Sequence, residues 1–378
     1  MQLRTLPLFA FLAGLISLSL FSFKGSQEKK VLADSLRALY SRPPEQWPAP
    51  FLDKGAVFAE LGVLPVSPIN KDSLKEEIQL GRVLFHDPRL SGSNQISCSS
   101  CHAVDLNWTD GRRVAVGNDH KTTSRNTPSI QNSWFQKALF WDGRANSLEE
   151  QAPISIANPH EMNQNPVELP SKLSKIEGYE PLFSAAFGDG EITLDRITRA
   201  IATFERTISS RKTDFDYFVE GQYNRLNDKE IEGLHLFRTK ARCINCHNGP
   251  LFTDEQFHNA GLTYYQRKYE DLGRYYFTQE PEDVGKFKTP GLRDVMRTNP
   301  WFHNGIFDNI EGVINMYNAG MPRTKAKADQ INDPLFPNTS PLLRPLNLSD
   351  GEKEALIAFL EAITTQPLRE PRPELPSL

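Results

Sequence analysis

Apolar residues recur at helical spacing through most of the chain. From Leu74 onward, Ile78, Gly81, Leu84 and Phe85 fall on one face of a helix, and the arrangement returns at Ile231, Gly233, Leu234, Leu236 and Phe237. Both stretches contain Gly-x-x-Leu-Phe, at Gly81 to Phe85 and Gly233 to Phe237. Between them, Thr193 can cap a helix whose Ile197, Ile201, Phe204 and Ile208 make an apolar stripe. Ile310, Val313, Ile314 and Tyr317 stand at i, i+3, i+4 and i+7, and a final helix opened by Ser349 or Asp350 carries Leu356, Phe359 and Leu360. Strand-like alternation is scarce, so the pattern predicts a mainly α fold with long loops.

The repeated element divides the chain into two units, expected at 71–215 and 216–370. Ahead of them, residues 27–70 hold a short helical stretch and then Pro43, Pro44, Pro48, Pro50, Pro65 and Pro68, an extended lead-in that wraps or precedes the units. Residues 1–26 differ from the rest: Arg4 precedes an apolar run from Leu6 to Phe23. Such a run is long for a signal peptide and short for a membrane span, and either reading, cleaved signal or N-terminal tether, places the remaining chain outside the cytoplasm.

A formal charge of -4 without any basic block excludes nucleic acid as an expected partner. Composition adds little until the four cysteines are placed. In an exported chain they would first suggest two disulfides. Their spacing argues otherwise: Cys98-Ser-Ser-Cys101-His102 and Cys243-Ile-Asn-Cys246-His247 both read Cys-x-x-Cys-His and use every cysteine. Two thiols about a helical turn apart can form thioethers to one porphyrin, and the adjacent imidazole becomes an axial iron ligand. A zinc site would want a separated histidine pair, and a thioredoxin-like motif a strand-helix-strand context; neither is present. Two covalently bound c-type haems are expected, one in each of two cytochrome-c-like domains.

Further stretches carry a resemblance. They are Gly81-Arg-Val-Leu-Phe-His-Asp-Pro-Arg-Leu-Ser91, Arg125-Asn-Thr-Pro128, Phe140-Trp-Asp-Gly-Arg144, and Glu149-Glu-Gln151 running to Glu161-Met162. After Cys243 to Pro250 come Phe252-Thr-Asp254, Phe287-Lys-Thr-Pro-Gly-Leu-Arg293 and Phe302-His-Asn-Gly305. In this order and spacing the chain resembles the bacterial di-haem cytochrome c peroxidase family, with its MauG-like, quinone-maturing branch, over nearly the whole exported part.

The resemblance implies that the N-terminal haem meets hydrogen peroxide and the C-terminal haem relays electrons from a small donor such as a cytochrome c or cupredoxin. It makes His102 and His247 the proximal iron ligands, Glu161 the acid/base at the peroxide site, Gln151 a distal hydrogen-bonding partner, and Trp141 the ring between the haems. Many family members close the first haem with a distal histidine two residues after a Val-Gly pair. Here Val116-Gly117 is followed by Asn118, leaving an open site or a ligand from the shifted His120. At the second haem, Met and Tyr are the family's alternatives; Met316 and Tyr317 are adjacent, and both the register from Phe302-His303 and the helical period favour Tyr317. Asn126, Thr298 and Pro300 match a calcium site between the domains. His303 receives no role.

Three functions follow as expectations. The leading one is peroxide reduction. A MauG-like oxidase acting on a partner protein is the second, although Ala241 stands where that branch carries a surface tryptophan. A non-catalytic electron carrier is the third. A homodimer is compatible with all of them.

Overall fold

The computed structural model describes Gln27 and residues 30–377, so the N-terminal segment 1–26 lies outside the described residues. Among these, no helix is long and apolar enough to cross a membrane.

A first helix, α1, covers residues 30–40. The Gly81 helix forms as α2, Lys75–His86, and ends just before Pro88, which cannot continue it. The first Cys-x-x-Cys segment is a single turn, α3, Cys98–Cys101. Then follow α4, Leu148–Ala157, and α5, Leu169–Leu173. Next are α6, Tyr179–Phe187, and α7, Leu194–Glu205. Thr193 caps α7 as its sequence suggests, its side chain accepting from Arg196 N. The second half contains α8, Asp214–Val219, α9, Asp228–Arg238, and α10, Tyr275–Thr278. It closes with α11, Ile310–Asn318, and α12, Asp350–Ala362. Ser349, rather than Asp350, caps α12, in a reciprocal box with Glu352. The sheet is minimal: β1, Phe257–His258, pairs antiparallel with β2, Phe287–Lys288. The molecule is helix-rich with few strands.

Two helix crossings organise the core, and they repeat one device. On α2, a Cβ at Gly81 would lie 1.9 Å from Ala200 O and 2.8 Å from Phe204 Cβ on α7. On α9, a Cβ at Gly233 would lie 2.0 Å from Ala355 O and 2.7 Å from Phe359 Cβ on α12. Only glycine permits so close an approach at either crossing. Around the first gather Leu80, Leu84, Phe85, Trp108, Phe183 and Ile197; around the second, Phe215, Phe237, Phe252, Leu356 and Phe359.

The proline-rich lead-in belongs to the second cluster. Tyr40, Trp47 and Leu61 are buried there, and the Arg238 guanidinium, fully buried at the end of α9, donates to Pro48 O and pairs with Glu60. Phe215 and Phe218 of α8 enter the same cluster, so the boundary expected at residue 215 falls inside that helix. The C-terminal tail runs the other way: Arg82 of α2 donates to Pro371 O at 2.7 Å, and Pro376 packs on Gly178.

Candidate active site

Both Cys-x-x-Cys-His segments open onto one cavity of about 910 Å³, lined from both halves of the chain. All four thiols are free. Ser97 and Ser100 cap the first motif reciprocally. The second is held from outside: Asn245 donates through Nδ2 to Phe51 O and accepts from Asp53 N, which ties the lead-in to the second Cys-x-x-Cys-His loop.

Each motif histidine is oriented through its Nδ1, which donates to a backbone carbonyl. His102 reaches Trp108 O at 2.9 Å and His247 reaches Phe252 O at 3.1 Å. That choice of tautomer leaves Nε2 unprotonated, as an axial iron ligand must be, and both rings line the cavity. Burial lowers the pKa of both rings and so keeps them neutral.

Glu161 lies on the cavity wall, close enough for its charge to be felt at the Cys101 and Cys98 thiols. Its turn is clamped by two glycines: a Cβ at Gly117 would meet His160 O at 2.2 Å, and one at Gly92 would meet Asn163 O at 2.3 Å. Asn118 N donates to Glu161 O at 2.8 Å, so the Val116-Gly117-Asn118 loop is bound to the backbone of the carboxylate it faces. The carboxyl receives Asn158 Nδ2 at 2.7 Å. Burial raises its pKa, while Ser155, Asn158 and the Arg144 charge pull the other way. Gln151 also lines the cavity and donates to Ser155 Oγ at 2.9 Å, so α4 joins Gln151 and Glu161 through one hydroxyl.

His120 is not brought to this wall. It is exposed, sits in the left-handed region at φ 57° and is absent from the cavity lining. The physical reason is the adjacent loop: binding Gly117 and Asn118 against residues 160–161 turns the chain outward before it reaches residue 120.

At the other end, Tyr317 faces the cavity and Met316 does not. Its ring stacks on Phe302, with centroids 6.0 Å apart, and burial raises the phenol's pKa, with Cys246 and Cys243 close enough to add to the shift. Trp141 lines the cavity, donates through Nε1 to Asn126 O at 2.9 Å, and accepts at its own carbonyl from Lys288 N of the second half.

Asn126, Thr298 and Pro300 border the cavity together. Among the described residues no donor reaches Asn126 Oδ1 or the carbonyls of Thr298 and Pro300. Three free oxygens are a donor set suited to a hard cation.

Several residues went unassigned in the sequence. His303 stacks face to face on Phe287, with centroids 3.5 Å apart and an 8° tilt, and meets Trp141 edge-on. Burial drives its pKa down to about 3, so it is a neutral ring. Arg125 bridges Asp142 and Asp271 at 2.6 and 2.7 Å, and Arg144 binds Asp142, forming a charged chain that reaches Glu161. Cys246, Asp254 and His258 lie close together, with His258 Nε2 2.8 Å from Asp254 Oδ2, as part of the second motif's surroundings.

With this geometry in hand, comparison with known proteins is decisive. The chain is 37% identical to the methylamine utilization protein MauG of Methylophilus methylotrophus, over 82% of this chain and 89% of that protein. It is 39% identical to the cytochrome c551 peroxidase of Nitrosomonas europaea, over 70% of this chain and 80% of the relative. A family model described as di-haem cytochrome c peroxidase matches residues 75–224. The chain belongs to the di-haem cytochrome c peroxidase family. Its fold agrees with a solved MauG-like protein associated with microbial copper homeostasis, at a TM-score of 0.69 and 30% identity, over 83% of this chain and 96% of the other. Family members are oxidoreductases that carry two c-type haems. The residues here fit that group: two thiol pairs outside any disulfide, each followed by a cavity-lining histidine whose Nδ1 is held by a backbone carbonyl.

Proposed function

We propose that the protein reduces hydrogen peroxide to water, using electrons from a small donor protein such as a cytochrome c or a cupredoxin. The observation that carries this reading is a half-buried carboxyl, Glu161, on the cavity wall within electrostatic reach of the first thiol pair, Cys98 and Cys101. In this reading residues 71–215 hold the peroxide-reducing haem through Cys98, Cys101 and His102. Residues 216–370 hold the electron-transfer haem through Cys243, Cys246, His247 and Tyr317. Asn126 Oδ1 and the carbonyls of Thr298 and Pro300 bind calcium, with water completing the shell. The segment 1–26 serves export.

The bound haem iron supplies the redox chemistry. The chain's own contribution is to hold and move protons. Asn158 and Ser155 hold the Glu161 carboxyl in place, and it accepts a proton from one peroxide oxygen and returns it to the other. Its raised pKa brings the carboxyl nearer to working pH, where both steps are feasible. Gln151, steered by Ser155, supplies a polar edge on the same wall. Trp141 lies on the path between the two ends. Per peroxide, two electrons and two protons are consumed and two waters formed.

A MauG-like oxidase is the second reading, favoured by Tyr317 facing the cavity. Ala241 weighs against it, since it is small and 3% exposed where that branch has a surface tryptophan. Mixing the di-haem protein with peroxide, with and without reduced cytochrome c, separates the readings. Rapid oxidation of cytochrome c supports peroxide reduction. A persistent oxidised state that ignores the donor supports the MauG-like reading, and an inert spectrum refutes both. Glu161→Gln is expected to slow peroxide turnover by at least about 100-fold.

A further inference from the structure

Glu205, the last residue of α7, has no part in the site as described so far. It is 6% exposed and lines the cavity at its Cys98–Cys101 end. Among the described residues no donor reaches its carboxyl, although buried polar groups are nearly always paired. At the Cys98 thiol its charge is felt more strongly than that of Glu161. Burial pushes the Glu205 carboxyl up to about 8, so it holds a proton at neutral pH.

The charges nearest this carboxyl belong to residues that reach solvent. Arg206, next in the chain, lowers its pKa, and Glu149, from the first turn of α4, raises it. Those two residues form an ion pair at 2.7 Å with side chains 30% and 36% exposed. Of the other charged groups on elements packed against α7, Lys75 and Glu76 of α2 make no pair among the described residues, and the rest are engaged elsewhere. On α2, Glu77 pairs with Arg199 and Thr203, and His86 bonds Arg82 O. On α5, Lys172 donates to Ser91 O and Gln164. On α4, Glu150 accepts from Asn146 N. Glu205 therefore lines the cavity while feeling both charges of a surface ion pair, on a helix packed against the one that carries Gln151 and Ser155.

We propose that Glu205 takes up protons from solvent beside the Glu149–Arg206 pair and passes them into the chamber where Glu161 works. The proposal rests on the peroxide-reducing reading of that chamber. Glu161 only moves a proton from one peroxide oxygen to the other. Reduction to two waters needs two further protons to accompany the donor's two electrons, and those must come from outside. Glu205 gives up its proton inward and is reprotonated from solvent, acting through the chamber's other groups rather than on peroxide itself.

Infrared spectroscopy of the di-haem protein tests this directly. The wild type should show a protonated-carboxyl carbonyl band at pH 7 that disappears with a midpoint near pH 8. The band should be missing in Glu205→Gln, and in Arg206→Gln its midpoint should move upward. An unchanged band in Glu205→Gln, or an unmoved midpoint in Arg206→Gln, overturns the proposal; the second variant decides the matter should the first not fold. Proton uptake, followed with an indicator dye during peroxide turnover, should slow roughly 100-fold in Glu205→Gln and recover in Glu205→Asp. Wild-type turnover with unaltered uptake in Glu205→Gln sinks the proposal alone. A wild type that consumes no peroxide sinks the reading beneath it as well.

Discussion

Asp216 and Arg293 show what a buried charge requires in this protein. Their side chains are 0% and 1% exposed, and the guanidinium makes two 2.8 Å bonds to the carboxylate while donating also to Pro250 O and Gly62 O. Thr213 gives Asp216 two more donors. Burial alone would raise the Asp216 pKa, but Arg293 and Thr213 hold it below the ordinary 3.8. The pair's stabilisation is therefore complete above the ordinary carboxylate range and is lost as pH falls through the lower folded value. Asp216→Ala strands a buried cation, with an expected cost of about 3–5 kcal/mol, read as a shift in the denaturant midpoint. Glu205 has the opposite sign. With its folded pKa raised to about 8 from 4.5, the folded state binds the extra proton, so this group's contribution to stability falls as pH rises between those values. Glu205→Gln should flatten the stability profile over that window.

At the scale of elements, the two glycine crossings make a paired prediction. Alanine at Gly81 or Gly233 places a methyl about 2 Å from a backbone oxygen that cannot rotate away. The overpacking cost is expected near the upper end of its usual range, about 3 kcal/mol, against ~1 kcal/mol gained in helix propensity. Both variants should lose stability by similar amounts, because the approach distances match to within 0.1 Å. A loss confined to one of them would show that the two crossings are not equivalent in energy. On α11 the helical period alone separates Met316 from Tyr317. One residue is a 100° turn, enough to take Met316 off the cavity wall.

For the whole molecule, the chain's two ends act as straps in opposite directions. The lead-in packs on the second core cluster and binds the second haem-binding loop through Asn245. The tail leaves α12 and crosses to the first cluster, contacting Arg82, Arg211 and Gly178. Ending the chain at Thr365 should speed amide exchange around the last turn of α2 and residue 178, with α9 and α12 unaffected. Uniform acceleration would mean that the tail supports the molecule as a whole rather than one cluster.

The sequence by itself determined α2, α7, α9, α11 and α12, the two Cys-x-x-Cys-His motifs, and the place of Tyr317 on the apolar face of α11. Each of these rests on a short repeat, a cap or a spacing contained within about ten residues. Glu161 and Trp141 were legible only because ordered motifs surround them. The partners of these residues were decided by tertiary structure. His303 gains its role as a neutral stacked ring from Phe287, and Arg125 its bridge from Asp142 and Asp271. His120 is turned away by backbone contacts that Gly117 and Asn118 make with residues 160–161. Glu205 reads along the chain as one more acid at the end of an amphipathic helix. Only the packing of other elements onto α7 buries it without a donor, because desolvation depends on what covers a group and not on its neighbours in sequence.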